Sequence, residues 1–129
     1  MSNKSIAQKM MIKEGRKVLL VNAPKGYKQK LGPLPAGATI VTRPGEPADV
    51  IQVFVANRRE LEEQLPKLKA ALAPDGMLWV AYLKGTSQTR TDINRDSLHA
   101  YARTAGLEGV SLISVDDDWS AMRFKVIGG

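Results

Sequence analysis

Four stretches of this 129-residue sequence carry side chains of the kind that do chemistry. Pro24-Lys25-Gly26-Tyr27 sets a lysine beside a glycine just after an apolar run, as a phosphate-binding turn would. The phosphate-loop signature needs a spaced pair of glycines and a Ser or Thr after its lysine. Neither is present, so the stretch reads as a turn in which Gly26 permits an unusual backbone angle. His99 is the only histidine. An imidazole with no partner to activate makes a weak base, and the residue reads as a boundary side chain at the edge of a helical stripe. Asp116-Asp117-Asp118 suggests a divalent cation, but a calcium loop alternates its acids, fixes a glycine and ends on a distal Glu. Three consecutive acids between two strand patterns read as a solvated turn. Asp92 and Asn94 precede a helical pattern and read as caps. Asp92 is also placed where a general base would have to stand.

The elements that position these residues follow from periodicity. Residues 5 to 12 read as a short helix, with Ser5 and Gln8 in capping-box spacing. Arg16 to Asn22, Ala38 to Thr42, Asp49 to Ala56 and Met77 to Leu83 read as strands, and unbroken apolar runs such as Val18-Leu19-Leu20-Val21 suit a parallel sheet buried on both faces. One turn of helix fits near Tyr27 to Leu31. Asn57 caps a helix whose stripe runs through Leu61, Leu65, Leu68 and Leu72. Pro66 sits inside that helix and should kink or divide it, and Pro74-Asp75-Gly76 is a stop. Asn94 opens a second long helix, with Leu98, Tyr101, Ala102 and Ala105 on one face and Gly106 closing it. Val110 to Val115 and Trp119 to Ile127 form a closing hairpin, and alternation in the last strand suits antiparallel pairing.

Strands alternating with helices imply parallel crossovers. The expected fold is α/β, a three-layer Rossmann-like sandwich. Its mostly parallel sheet of about six strands ends in an antiparallel hairpin, the six being the strands named above. Residues 1–129 are expected to form a single domain, with 1–15 as an N-terminal helical extension. There are no cysteines, which excludes disulfides, thiolate metal sites and a cysteine nucleophile. Hydrophobic residues make up 43% of the chain, enough for a folded core. No run approaches the ~18 apolar residues of a membrane span, and the N-terminal residues lack a signal-peptide core. A soluble cytoplasmic protein is expected.

The charge is uneven. Residues 1 to 45 hold nine Lys and Arg against one acid, a net of +8, while residues 46 to 129 hold ten against twelve, a net of −2, which together give the chain's +6. A basic third can serve an anionic partner or simply form a solvated face.

Three features resemble the class I methyltransferase variety of Rossmann fold: the strand at Ala48-Asp49-Val50-Ile51, the run Leu72-Ala73-Pro74-Asp75-Gly76-Met77-Leu78-Trp79-Val80, and the terminal hairpin. The resemblance implies that one strand–helix unit is missing between the first strand and Asp49. Methyltransferases place a glycine-rich turn after the first strand and an acid at the end of the second to hold ribose hydroxyls. Here these positions read Asn22-Ala23-Pro24-Lys25-Gly26-Tyr27 and Val41-Thr42-Arg43, and a cation cannot accept those hydrogen bonds. Five phrases, among them Val18-Leu19-Leu20-Val21-Asn22-Ala23-Pro24-Lys25-Gly26-Tyr27, Leu31-Gly32-Pro33-Leu34-Pro35 and Thr91-Asp92-Ile93, resemble a bacterial family of short proteins, domain-of-unknown-function family 3052. That resemblance implies a compact Rossmann-like protein and supplies no activity.

In open α/β sheets ligands sit beyond the carboxyl ends of the strands. That edge should gather Asn22, Lys25, Gly26, Tyr27, Arg43, Arg58, Lys84, Ser87, Thr91 and Asp92, a polar and cationic set. An anion at the start of the helix near Asn57 would be well received. The sequence thus favours a non-enzymatic binding or regulatory module for a small anion or a protein partner, with no cofactor, no metal, no catalytic residue and no membrane. A divergent S-adenosylmethionine-type methyltransferase is the alternative. Sequence-independent nucleic-acid binding through the basic third is a further one, and would show steep salt dependence.

Overall fold

β1 (Lys17–Val21) is the strand around which the sheet is ordered. Its parallel neighbours are β2 (Thr39–Val41) on one side and β3 (Ala48–Phe54) on the other. β4 (Leu72–Leu83) continues in parallel beside β3. β6 (Trp119–Val126) then runs antiparallel to β4, and β5 (Leu107–Ser114) closes the sheet antiparallel to β6. The order is β2-β1-β3-β4-β6-β5. This computed structural model describes residues 5–43, 45–84 and 92–127.

Helices cover both faces. α1 (Ile6–Lys9) and α2 (Tyr27–Leu31) pack Ile6, Ala7, Tyr27 and Leu31 against Val18, Leu20, Val50, Phe54 and Trp79. α3 (Arg58–Ala71) and α4 (Arg95–Thr104) pack Leu61, Leu65, Leu68, Leu98 and Ala102 against Leu19, Ile51, Val53, Leu78 and Val80. The alternation of side chains along each strand divides the core in two, one half per face. The three layers and the antiparallel hairpin are those read from the sequence. Among the described residues, no helix is long and apolar enough to cross a membrane.

Caps explain where the helices start. Ser5 and Gln8 form the reciprocal capping box of α1, Asn57 accepts from the Glu60 N–H, and Asn94 accepts from the Ser97 N–H. α3 is one continuous helix through Pro66, neither divided nor ended there. Its last turn differs from the expected stripe. Leu72 has extended angles and belongs to β4, because it pairs with Ala48 across the sheet. The expected stop at Pro74-Asp75-Gly76 lies inside the extended segment instead, where the register with β3 shifts between Ala48 and Val50. Asp75 there has φ 61°. Gly76 is wedged so tightly that a Cβ would lie 2.8 to 3.0 Å from Leu72, Ala73 and Asp49 atoms, which selects glycine. β5 starts at Leu107 rather than Val110, and the register shift between Gly109 and Ser111 is why the local pattern began late.

One polar side chain sits in the middle of this core. Gln52 of β3 is fully buried, and its Oε1 accepts a 2.6 Å hydrogen bond from the Tyr27 hydroxyl. In the sequence Gln52 is hidden inside an apolar run. Removing one partner of a buried hydrogen bond strands the other. Tyr27→Phe is therefore expected to destabilise the fold by about 1–3 kcal/mol, measured by chemical denaturation. By contrast, Pro66→Ala restores a donor for the Glu62 carbonyl. It should raise stability by about 2 kcal/mol, the helix-interior penalty of proline less its restriction of the unfolded chain, seen as a higher thermal midpoint.

Candidate functional site

The chain leaves β1 for β2 on one side and later returns to β3 on the other, so the sheet has a topological switch point at the carboxyl end of β1. Open α/β sheets form their ligand crevice at such a point. Beside it here is a cavity of about 670 Å³, walled by Leu20, Asn22, the run from 23 to 29, and Thr42. A volume of this order suits a small ligand.

Local backbone shapes the cavity. Asn22, straight after β1, takes the left-handed conformation at φ 58°, and Gly26 takes it at φ 81°. Asparagine is among the few side chains that tolerate this region, and glycine enters it freely. The chain therefore turns twice within five residues and exposes main chain along the turn. A Cβ on Gly26 would meet nothing within 4 Å, so the turn is open at that point. Tyr27 then drops into the core and closes the floor. Its ring meets Phe54 edge-on at 4.7 Å, and Phe54 meets Trp119 in the same way at 5.0 Å. Burial pushes the Tyr27 phenol far above its ordinary range, with the Asp116 charge adding to the shift against the opposing bond to Gln52. The phenol stays protonated and acts as a donor to Gln52, not as a base.

The cavity gathers Asn22, Lys25, Gly26 and Tyr27 from the expected set, together with Thr42 and Lys28. Lys25, Lys28 and Thr42 are exposed, and no carboxylate lines the wall. Arg43 follows Thr42 on the exposed rim and is not a lining residue. The other expected residues form a separate group. The Asp92 carboxylate accepts from the Arg58 N–H at 2.7 Å, and the Arg58 guanidinium pairs with Glu62 at 2.8 Å and lies 5.7 Å from the centre of the Tyr101 ring. Asp92 is thus a cap, but of α3 rather than of the helix that follows it. The anion expected at the helix start near Asn57 is corrected by the same contact, because that N–H already holds a carboxylate. Lys84 donates to Ser114 Oγ at 2.7 Å, tying the end of β4 to β5. Ser87 and Thr91 lie outside the described residues.

Thr42, at the end of the second strand where the sequence places the ribose-holding position, lines the cavity beside the turn after β1. The role of Asp116 is not visible in the sequence. Its carboxylate accepts from the Asp118 and Trp119 N–H groups and pairs with Lys30 of α2 at 3.0 Å. The acidic turn therefore anchors the helix that walls the cavity. His99 lies away from this edge, packed on Gly109, with no hydrogen-bond partner for Nε2 among the described residues. Among the described residues, no group of three His, Asp or Glu side chains is placed to hold a metal ion.

The fold is shared with solved structures. An SAH complex of DhpI superposes with a TM-score of 0.67 at 12% identity, covering 95% of this chain and 82% of that one. The fold is that of a methyltransferase-like Rossmann domain. A SAM-dependent methyltransferase from Aquifex aeolicus is similar at TM-score 0.63 and 12% identity, with 95% of this chain and 88% of the other covered. Fibrillarin from Aeropyrum pernix, with natively bound S-adenosyl-L-methionine, is similar at 0.60 and 13%, with 93% and 73% covered. No family model matches the chain, which leaves the likeness to family 3052 without support. No curated protein matches it in sequence. The neighbours correct the expectation of no cofactor. That expectation rested on the single glycine and missing acid, yet the shared fold is one in which solved relatives hold SAM or SAH.

Asp116 gives the site a pH dependence. Burial alone would raise its pKa, but the Asp118 and Trp119 N–H groups and Lys30 outweigh it and hold the carboxyl below its ordinary value. A depressed folded-state pKa contributes stability above the unfolded value, and this is lost as pH falls through the folded one. Asp116→Asn is expected to be less stable than the parent at neutral pH. The gap should close in acid, below the ordinary carboxyl range of about 3.9, in denaturant melts taken across pH.

Proposed function

We propose that this chain binds an S-adenosyl ligand in the cavity at the carboxyl ends of β1 and β2, and that methyl transfer from S-adenosylmethionine is its activity. One observation carries the reading. The cavity lies beside the switch point of a sheet whose structural neighbours include complexes with SAM and SAH.

The residues present fit such a ligand by an unusual route. Left-handed turns at Asn22 and Gly26 let bare main chain approach it, the service that extra glycines would give. The Asn22 amide and the Thr42 hydroxyl supply neutral acceptors for ribose hydroxyls in place of a carboxylate. Bound S-adenosylmethionine supplies a methyl group activated on a sulfonium. The chain's own part is to orient it through Asn22 and Thr42 and to wall it with α2. Tyr27 supplies no base, since its proton is committed to Gln52. The methyl acceptor must therefore be reactive without a base from this wall.

The charge of the rim favours a second reading, a non-catalytic module for a small anion. Lys25 and Lys28 line the cavity, Arg43 follows Thr42, and none of the three pairs with an acid among the described residues.

Calorimetric titration with S-adenosylmethionine, its demethylated product, phosphate and sulfate separates the two. Saturable binding of the adenosyl ligands, weakened about tenfold by Thr42→Val as for a lost hydrogen bond, is the expected result. Binding of phosphate and sulfate alone, abolished by Lys25→Ala, would replace it with the second reading. No binding by any of the four would defeat both.

A further inference from the structure

At the opposite end of the sheet a second cleft, of about 680 Å³, opens between the start of β4 and the end of β6. One wall is the tight segment from Leu72 to Met77, held by the wedged Gly76. The other is Arg123, Phe124, Lys125 and Val126 of β6, with the bulged Val110 of β5 beside them.

Arg123 is the unusual member. It is half-buried, and its Nε has no hydrogen-bond partner among the described residues although it is inaccessible to solvent. Among the described residues its Nη1 reaches only the Met77 sulfur, at 3.6 Å. Thioether sulfur is a weak acceptor. No carboxylate lies within ion-pair distance of the guanidinium among the described residues, whereas neighbouring Lys125 faces Glu108 at 3.8 Å. Asp75 lines the same cleft but is exposed and makes no ion pair among the described residues, so water screens it. A partly desolvated guanidinium without a counter-charge is costly, and its planar fork matches the paired oxygens of a carboxylate or phosphate.

The walls add a second requirement. Val110 is 38% exposed and Val126 46% exposed, two of only four large apolar side chains so exposed among the described residues. Both border this cleft. They offer apolar surface at the mouth of the cleft near the Arg123 charge, while Phe124 is turned away into the core under α3 and α4.

We propose that this cleft is a second ligand site, for a carboxylate or phosphate carried on an apolar group, with Arg123 as the anion-binding residue. The site is separate from the adenosyl cavity and stands whether or not that cavity binds its ligand. Trp79 provides a reporter, because it pairs with Arg123 in register and the chain has only one other tryptophan.

The test is titration of the whole chain with phenyl phosphate, benzoate, inorganic phosphate and benzyl alcohol, followed by the Trp79 indole resonance. Saturable binding of phenyl phosphate or benzoate, with the alcohol and inorganic phosphate much weaker, is expected. Which of the two anions binds more tightly tells whether the natural ligand is a phosphate or a carboxylate. Arg123→Gln should weaken binding about tenfold, the loss of one charge-assisted contact, while leaving titration of the adenosyl cavity unchanged. Should that variant fail to fold, Lys125→Glu, two residues on along the Arg123 side of β6, sets an exposed acid in the cleft and should abolish binding by repulsion. No saturable binding, equal binding of the alcohol or of inorganic phosphate, or full affinity in the folded variants would overturn the proposal.

Discussion

The bond between the Tyr27 hydroxyl and Gln52 is the interaction on which the site depends. α2 is only five residues long and has no side-chain cap at its start, so its own hydrogen bonds cannot hold it in place. What fixes it is the tyrosine at its first position, driven into the core by its ring and held there by a polar group at the centre of β3. Gln52 Nε2 has no partner among the described residues, and without that hydroxyl its Oε1 would be unpaired in the same apolar layer. The bond therefore ties the start of α2 to the centre of β3. The Lys30–Asp116 pair secures the far end of the helix to the β5–β6 turn. The turn from Asn22 to Gly26 is stretched between β1 and this fixed helix, which is why it stands open.

A tension in the site follows from chemistry rather than geometry. The backbone offers what an adenosyl ligand needs, a close approach at two left-handed residues next to the switch point. The side chains offer a surface without acids and with lysines. A sulfonium is repelled by lysines, though the effect is modest where those lysines are exposed and screened. Neutral acceptors lose less in such a setting than a carboxylate would gain elsewhere, because they carry no charge to desolvate. In the proposed adenosyl complex, neutral acceptors would stand in for an acid, with weaker contacts but no charge to desolvate.

The shortened sheet changes the edges. β2 is a three-residue edge strand, too short to template pairing with another chain. β5, at the other edge, is long, but the shift at Val110 breaks its register. That break is a usual protection of an edge, and here it also tilts an apolar side chain toward the cleft that holds Arg123.

Much of this was legible in the chain itself. Apolar runs and the helical stripe through Leu61, Leu65 and Leu68 determined the alternation of strands and helices, because burial on two faces leaves no other pattern. The capping residues Ser5, Asn57 and Asn94 marked helix starts, since orphan N–H groups need a local acceptor. The terminal hairpin was equally plain, whereas the missing strand–helix unit was implied only by the resemblance to methyltransferases. What the sequence could not show was which of its polar residues meet. Asp92 lies close in sequence to α4 and caps α3. Lys84 lies at the expected edge and serves β5. Gln52 sits unnoticed in a run of hydrophobes and anchors the site. Periodicity is a local property and it decides the elements. Partnership across tens of residues depends on the order of strands in the sheet, and only the tertiary structure sets that order.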